Sequence, residues 1–401
     1  MQIEIVPSFA QGSVTAPPSK SMAHRLLICA GLSTGVSKIL GIAPSQDVLA
    51  TLDCLRAIGA EYRYEADTVE IRGVDVANLK ILDVLPCREC GSTLRFFIPI
   101  ALLCKEGVTL TGSERLLARP QSVYEDLCRS HGLCFDNDGK RIKVKGVLKS
   151  GIYEIPGNIS SQFISGLLFV LPLLDGDSEV RITGKLESKP YINLTLSALA
   201  QFGVQVSWKT GNALAIRGGQ RYQARFAQVE GDYSNAAFFA ALNTVGGDVT
   251  VTGLSANSLQ GDRVYADYFS ALEKGCPTLD IAECPDLGPI LFAVAAANHG
   301  GVFTGTERLK IKESDRGVAM ARELEKMGAE LVLEDNRITV VSSALHAPKT
   351  VLDGHNDHRI VMALSVLLTR LGGKIDGAEA VAKSMPDFFE CMEELGVKIR
   401  R

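Results

Sequence analysis

Along this chain, stretches with apolar residues at helical spacing give way repeatedly to short stretches that alternate apolar and polar. Asp53-Cys54-Leu55-Arg56-Ala57-Ile58-Gly59-Ala60-Glu61 sets the pattern: an amphipathic helix, a Gly where its C-terminal cap must turn left-handed, then a strand. Altered copies follow at Asp126 to Gly132, Leu199 to Gln205, Leu272 to Gly275, Leu324 to Glu330 and Glu393 to Lys398. The marker glycines at 59, 132, 203, 275, 328 and 396 are separated by 73, 71, 72, 53 and 68 residues, which is a sixfold internal repeat. After a polar turn, Val69-Glu70-Ile71-Arg72, Ile142-Lys143-Val144-Lys145 and Ile338-Thr339-Val340-Val341 alternate again and read as second strands. Each copy is therefore a βαβαββ-like subdomain of helices backed by a sheet. Six of them fall into two groups of three, and the fold class is α/β (α+β) with two domains.

The last copy stops at Arg401 immediately after its first strand. Its missing partner is most simply Met1 to Val6, which alternates like a strand. Both termini then belong to one domain, 1–17 with 229–401, and 18–228 is an inserted domain. The chain crosses between them near Pro17-Pro18 and near Gln228 to Gly231, an arrangement suited to a hinge, with a ligand site expected in the interdomain cleft.

Charge narrows the ligand. Lys plus Arg total 42 against 46 Asp plus Glu, a formal charge of −4, and the basic residues are dispersed rather than gathered into a stripe, which argues against nucleic acid. The longest nearly apolar stretch, Ile164 to Leu174, is too short to cross a bilayer, and the N-terminus has no basic flank or cleavage signature. A soluble, cytoplasmic protein is expected. Of 10 cysteines only Cys87 and Cys90 are closely paired, and a single Cys-x-x-Cys is a weak metal or redox signal. His355 and His358 lie near Asp353 and Asp357, where a polar helix start explains them better than a metal.

The basic residues do recur in one local setting. Ser19 to Arg25, Gly91 to Arg95, Leu117 to Pro120, Lys312 to Arg316, Asn356 to Arg359 and Lys383 to Asp387 each put a cation beside small polar residues where an apolar helix begins. The first N–H groups of a helix lack internal partners and carry the positive end of its dipole, so such starts are ready anion sites. Several converging would bind a small polyanion.

These segments, taken with Ser160-Ser161-Gln162-Phe163, Ser188-Lys189-Pro190-Tyr191, Val229-Glu230-Gly231-Asp232 and Pro285-Asp286, resemble the ordered motifs of the 5-enolpyruvylshikimate-3-phosphate synthases over essentially the whole chain. The resemblance implies a two-domain inside-out α/β barrel-like fold, three subdomains per domain. It also implies transfer of the enolpyruvyl group of phosphoenolpyruvate to the 5-hydroxyl of shikimate 3-phosphate, by addition and elimination through a tetrahedral intermediate. By the same resemblance, Lys20, Gly91, Arg119, Gln162, Arg316, Arg359 and Lys383 bind phosphoenolpyruvate. Lys20, Ser21, Arg25, Ser160, Ser161, Gln162, Ser188, Tyr191, Asp286 and Lys312 bind shikimate 3-phosphate, and Asp286, Glu313, Lys20 and Lys383 are catalytic. No metal and no cofactor are implied, the expected assembly is a monomer, and the family is the target of glyphosate, a competitor of phosphoenolpyruvate.

Plainer readings stand beside these roles. Ser160 and Ser314 suit helix N-caps, as does Asp286, while Arg95 sits one turn into its helix and could only support the loop. Glu89, where an Asn is common, puts a carboxylate beside the Gly91 loop; Ser384 replaces a frequent Thr; and Arg308 stands where some relatives carry a substrate-contacting Asn. The alternatives are the sister enolpyruvyl transferase acting on UDP-N-acetylglucosamine and a noncatalytic repeat scaffold. The former typically has Lys-Asn where this chain has Lys20-Ser21, and a reactive Cys that the Arg119 loop lacks.

Overall fold

A computed structural model describes residues 1–79, 81 and 84–401. The chain divides into two compact units, an inserted one of Pro18–Glu230 and one of Met1–Pro17 with Gly231–Arg401 that carries both termini.

Among the described residues, five four-stranded sheets share one pairing pattern, a parallel pair followed by two antiparallel pairings. In the third copy, Ile152–Pro156 runs parallel to Ser178–Thr183, which pairs antiparallel with Ala213–Ile216, and that strand closes a hairpin with Val206–Thr210. Segments distant in sequence complete two of the sheets. Phe226–Gln228 joins Val36–Leu40, and Ile3–Val6 lies antiparallel between Gly373–Asp376 and Lys398–Arg400, so the first residues supply the strand the last copy lacks. The sheets remain separate, and among the described residues none closes into a barrel.

The fourth copy departs from the repeat. It has only the parallel pair Gln11–Thr15 and Asp248–Thr252. Gly59, Gly132, Gly203, Gly328 and Gly396 take the left-handed turn that the sequence led us to expect, with φ between 66° and 97°. Gly275 does not: at φ 170° it is extended, and the chain runs directly from the helix Tyr265–Lys274 into Thr278–Asp280 of the next copy. With no hairpin to enter, no reversal is needed. The missing hairpin also accounts for the short 53-residue spacing between Gly275 and Gly328.

Each copy sends one helix through the core. In the inserted unit these are Lys20–Gly31, Gly91–Ala101 and Ser161–Val170; in the other unit they are Tyr233–Ala241, Gly288–Ala297 and His358–Leu371. They are buried nearly all round, as their lack of a polar face requires. Each enclosed Leu, Ile or Phe contributes about 1.5–3 kcal/mol. A second helix in each copy is amphipathic; Ser122–Ser130 buries Val123, Tyr124, Leu127 and Cys128 and exposes the rest of its surface to water. Because the core helices are apolar along their length, their polar N-terminal residues gather the chemistry. Close packing fixes their positions: a Cβ on Gly166 would lie 2.3 Å from the Tyr124 hydroxyl, which donates to the carbonyls of Arg95 at 2.8 Å and Phe163 at 3.0 Å.

Candidate active site

In the inserted unit the starts of the three core helices are tied to one another by side chains. Ser19 caps the first by accepting from the Met22 N–H, and Lys20 at its first position donates to Asp47 Oδ2 at 2.8 Å. One turn on, Arg25 is buried and fully engaged: Nη1 donates to the Ser21 carbonyl at 2.6 Å, Nη2 to the Tyr191 carbonyl at 3.0 Å and Nε to Thr195 Oγ1 at 2.9 Å. Burial pulls its pKa down to about 10. Arg25 thus joins the first-copy motif to the third, where Ser188 sits buried in the left-handed conformation ahead of the helix Lys189–Gln201.

The second and third copies meet through Gln162. Its Oε1 accepts from Arg95 Nη1 at 2.7 Å, and its Nε2 donates to Ser92 Oγ at 2.9 Å. Arg95 also reaches the Pro120 carbonyl at 3.3 Å and stacks over Phe163, so it holds the Gln162 amide and the Arg119 loop in place. Ser160 is the N-cap of its helix, accepting from the Gln162 N–H at 3.3 Å, and Ser161 is buried behind it. Gly91 opens the second core helix where a Cβ would lie 2.6 Å from Arg119 Nη1; the missing side chain is the space in which that guanidinium lies.

The other unit holds a compact cluster of charge. Arg316, only 1% exposed, donates from Nε to Asp357 Oδ2 at 2.9 Å, from Nη1 to Asp286 Oδ1 at 2.8 Å and from Nη2 to Glu313 Oε2 at 2.7 Å. Lys312 Nζ donates to the same Asp286 oxygen at 3.1 Å, and Arg359 Nη2 lies 3.9 Å from the other. Burial by itself would raise the Asp286 pKa, but Lys312, Arg359 and Arg316 outweigh it and hold the carboxyl well below the usual carboxylate range. Burial lowers the Lys312 pKa, with Asp286 opposing. The same carboxylates hold the Arg316 guanidinium above its ordinary value despite its burial.

Around this cluster, Arg359 Nη1 approaches Asn235 Oδ1 at 3.5 Å, and Asn235 Nδ2 donates to Ser384 Oγ at 3.2 Å. Lys383, at the end of the short turn Ala378–Lys383, donates to the Asn356 carbonyl at 2.8 Å. That carbonyl belongs to a loop with both His355 and Asn356 left-handed, anchored by His355 Nε2 against Glu323 Oε1 at 2.9 Å.

Several residues prove to differ from their plain readings. Asp286 lies inside the short turn Pro285–Leu287, whose cap position is Cys284, and Ser314 is no cap either: its hydroxyl donates to Asp357 Oδ2 at 2.9 Å, while Asp315 caps the helix Arg316–Glu325. Asp357 is both the cap of His358–Leu371 and the buried counter-ion of Arg316, a double role invisible in a sequence where it looks like any polar helix start. The Cys-x-x-Cys pair is split: Cys87 Sγ lies 3.9 Å from Cys54 Sγ, whereas Cys90 accepts from the Thr93 N–H as a cap. The partners Asp47 and Asn235 carry no signal in the sequence, since each acts through a neighbour distant along the chain, and Ser92, although inside the Gly91 segment, meets Gln162 across 70 residues.

A family model described as EPSP synthase (3-phosphoshikimate 1-carboxyvinyltransferase) matches residues 7–392. A protein named 3-phosphoshikimate 1-carboxyvinyltransferase from Clostridium kluyveri is 37% identical over 99% of this chain and 98% of its own length. One of the same name from Clostridium novyi is 38% identical over 98% of this chain and 97% of its own. Among solved structures, an EPSP synthase from Acinetobacter baumannii superposes with a TM-score of 0.81 at 25% identity, covering 100% of this chain and 99% of its own. The enolpyruvyl transferase NikO from Streptomyces tendae shares the fold, with a TM-score of 0.77 at 14% identity.

Proposed function

The chain belongs to the EPSP synthase family, and from that premise we propose that it transfers the enolpyruvyl group of phosphoenolpyruvate to the 5-hydroxyl of shikimate 3-phosphate, releasing phosphate. The observation that carries this reading is that the family match runs through nearly the whole chain and includes every ordered segment named above.

Lys20, Arg119, Arg316, Arg359 and Lys383 would neutralise phosphoenolpyruvate, with Gly91 and Gln162 shaping the space beside Arg119. Ser21, Arg25, Ser160, Ser161, Ser188, Tyr191 and Lys312 would hold shikimate 3-phosphate. A carboxylate whose pKa is strongly depressed is a weak base, so Asp286 in its present surroundings suits orienting the attacking hydroxyl as an acceptor. A substrate phosphate that drew Lys312 away would leave Asp286 with fewer cations and more basic at the moment of attack. Glu313 would exchange a proton with the methylene carbon as the tetrahedral ketal forms and collapses, with Lys20 and Lys383 assisting. The cations then stabilise charge developing on the departing phosphate.

A monomer in the cytoplasm is part of the same proposal. Among the described residues, no helix is long and apolar enough to cross a membrane. The test is phosphate release from phosphoenolpyruvate with shikimate 3-phosphate, shikimate or UDP-N-acetylglucosamine as acceptor. Turnover only with the first is expected; turnover with the nucleotide sugar alone would overturn the assignment.

A further inference from the structure

Behind the start of the first core helix lies a cluster that the proposed reaction does not use. His24 Nδ1 is 2.7 Å from Thr51 Oγ1, which is itself 2.8 Å from Thr93 Oγ1. That bond fixes the imidazole so that its other nitrogen, Nε2, faces Cys90 Sγ at 3.9 Å. Asp47, in the first turn of the helix Gln46–Ala57, completes the group: one ligand atom each from His24, Asp47 and Cys90 lie within 4.8 Å of one another. His24 and Cys90 are each 1% exposed. In tetrahedral zinc sites, bonds of about 2.0–2.3 Å set the ligand atoms roughly 3.3–3.6 Å apart, so small side-chain movements would close this triad on an ion.

The surroundings suit such an ion in other ways. Burial, followed by Lys20 and Arg25, holds the His24 pKa far below its ordinary value, so the ring is neutral and offers a lone pair. The Thr51 bond is the outer-shell contact that metal-binding imidazoles usually have. Nitrogen, sulfur and carboxylate oxygen together favour a thiophilic divalent cation over magnesium or calcium. Asp47 and Lys20, partly exposed, provide the way in.

We propose that His24, Cys90 and Asp47 bind a thiophilic divalent cation, zinc in kind, with the fourth position left to water, and that its binding inhibits the enzyme by taking Asp47 from Lys20. On binding, the Cys90 S–H bond breaks as the sulfur–metal bond forms, and the proton leaves to solvent. Asp47 exchanges an ammonium for the metal, and Lys20 is left beside a new positive charge where it would otherwise meet an anionic substrate. The inhibition rests on the function proposed above; the metal binding does not. A thiol must lose its proton to ligate, so one proton is released per ion across the neutral range, and apparent affinity rises about tenfold per pH unit.

The test uses the full chain with the exposed Cys134 and Cys276 replaced by Ser, titrated with Cd2+ while the ultraviolet thiolate-to-cadmium charge-transfer band is followed. One equivalent should develop the band, with the pH dependence above, and Cys90→Ser should abolish it. Ser is itself a favoured N-cap, so that variant keeps the fold, and its melting temperature without metal checks this. Cd2+ should raise the melting temperature of the protein that retains Cys90 and leave that of the variant unchanged. No band, or a band that survives Cys90→Ser, overturns the site. A band lost in Cys90→Ser without metal-dependent inhibition of phosphate release overturns the link to Lys20 and leaves the binding site standing.

Discussion

Replacing Asp357 with Asn tests how the buried cluster is held together. Arg316 and Asp357 are 1% and 0% exposed, and Asp357 gives Arg316 two bonds, at 2.9 and 3.3 Å, while also accepting from Ser314 and from the Arg359 N–H. Asn has the same size, and its Oδ1 preserves the cap to Arg359. What it loses is the charge, and its amide must then point N–H groups at Ser314 or Arg316. Removing one partner of a buried pair costs about 3–5 kcal/mol because the survivor stays buried and uncompensated. Here Arg316 keeps Asp286 and Glu313, which are 21% and 23% exposed and better screened, so the low end, about 3 kcal/mol, applies. For a unit of roughly 150–250 residues each kcal/mol is about 2–4 °C, so the expected loss is ~6–12 °C. Scanning calorimetry is the suitable assay, since two units need not melt as one. Arg316→Met in the Asp357→Asn background should cost less than the sum of the two single losses, because both changes remove the same buried pair, although Arg316→Met also takes a cation from Asp286 and Glu313. A variant melting within about 1 °C of the parent, or single losses that simply add in the double variant, would refute Asp357 as the principal counter-ion.

Glu313→Gln should lower turnover by about 100-fold or more with little change in calorimetric affinity for shikimate 3-phosphate, whereas Lys312→Ala should mainly weaken that affinity. Normal turnover in the Gln variant would reduce Glu313 to a charge partner of Arg316. Asp286 has a folded pKa below its unfolded value, so the stability it contributes is present above about pH 4 and is lost as pH falls through the folded value. Acid unfolding of Asp286→Asn should therefore be flatter in that window, and an unchanged acid limb would contradict the ion pairs drawn here. Gly91→Ala should push the Arg119 guanidinium aside and raise KM for phosphoenolpyruvate more than it lowers kcat; kinetics indistinguishable from the parent would mean that Arg119 has other room.

What the sequence determined by itself was the repeat and the chemistry at its joints. Period and capping glycines are local signals, and five of the six marked a real left-handed turn. The missing last strand was legible too, because a copy that ends at Arg401 needs a partner and Met1–Val6 has the alternation to be one. Basic residues at helix starts were visible since the anion-binding property of a helix end is carried by neighbours in sequence. Only the tertiary structure decided which charges meet. Asp357 reaches Arg316 across 41 residues, Arg95 reaches Gln162 across 67 and Asn235 reaches Ser384 across 149, and no local pattern encodes such pairings. The extended Gly275 was likewise unreadable, because a glycine signals permission for a left-handed turn, and whether the turn is used depends on where the next strand must go.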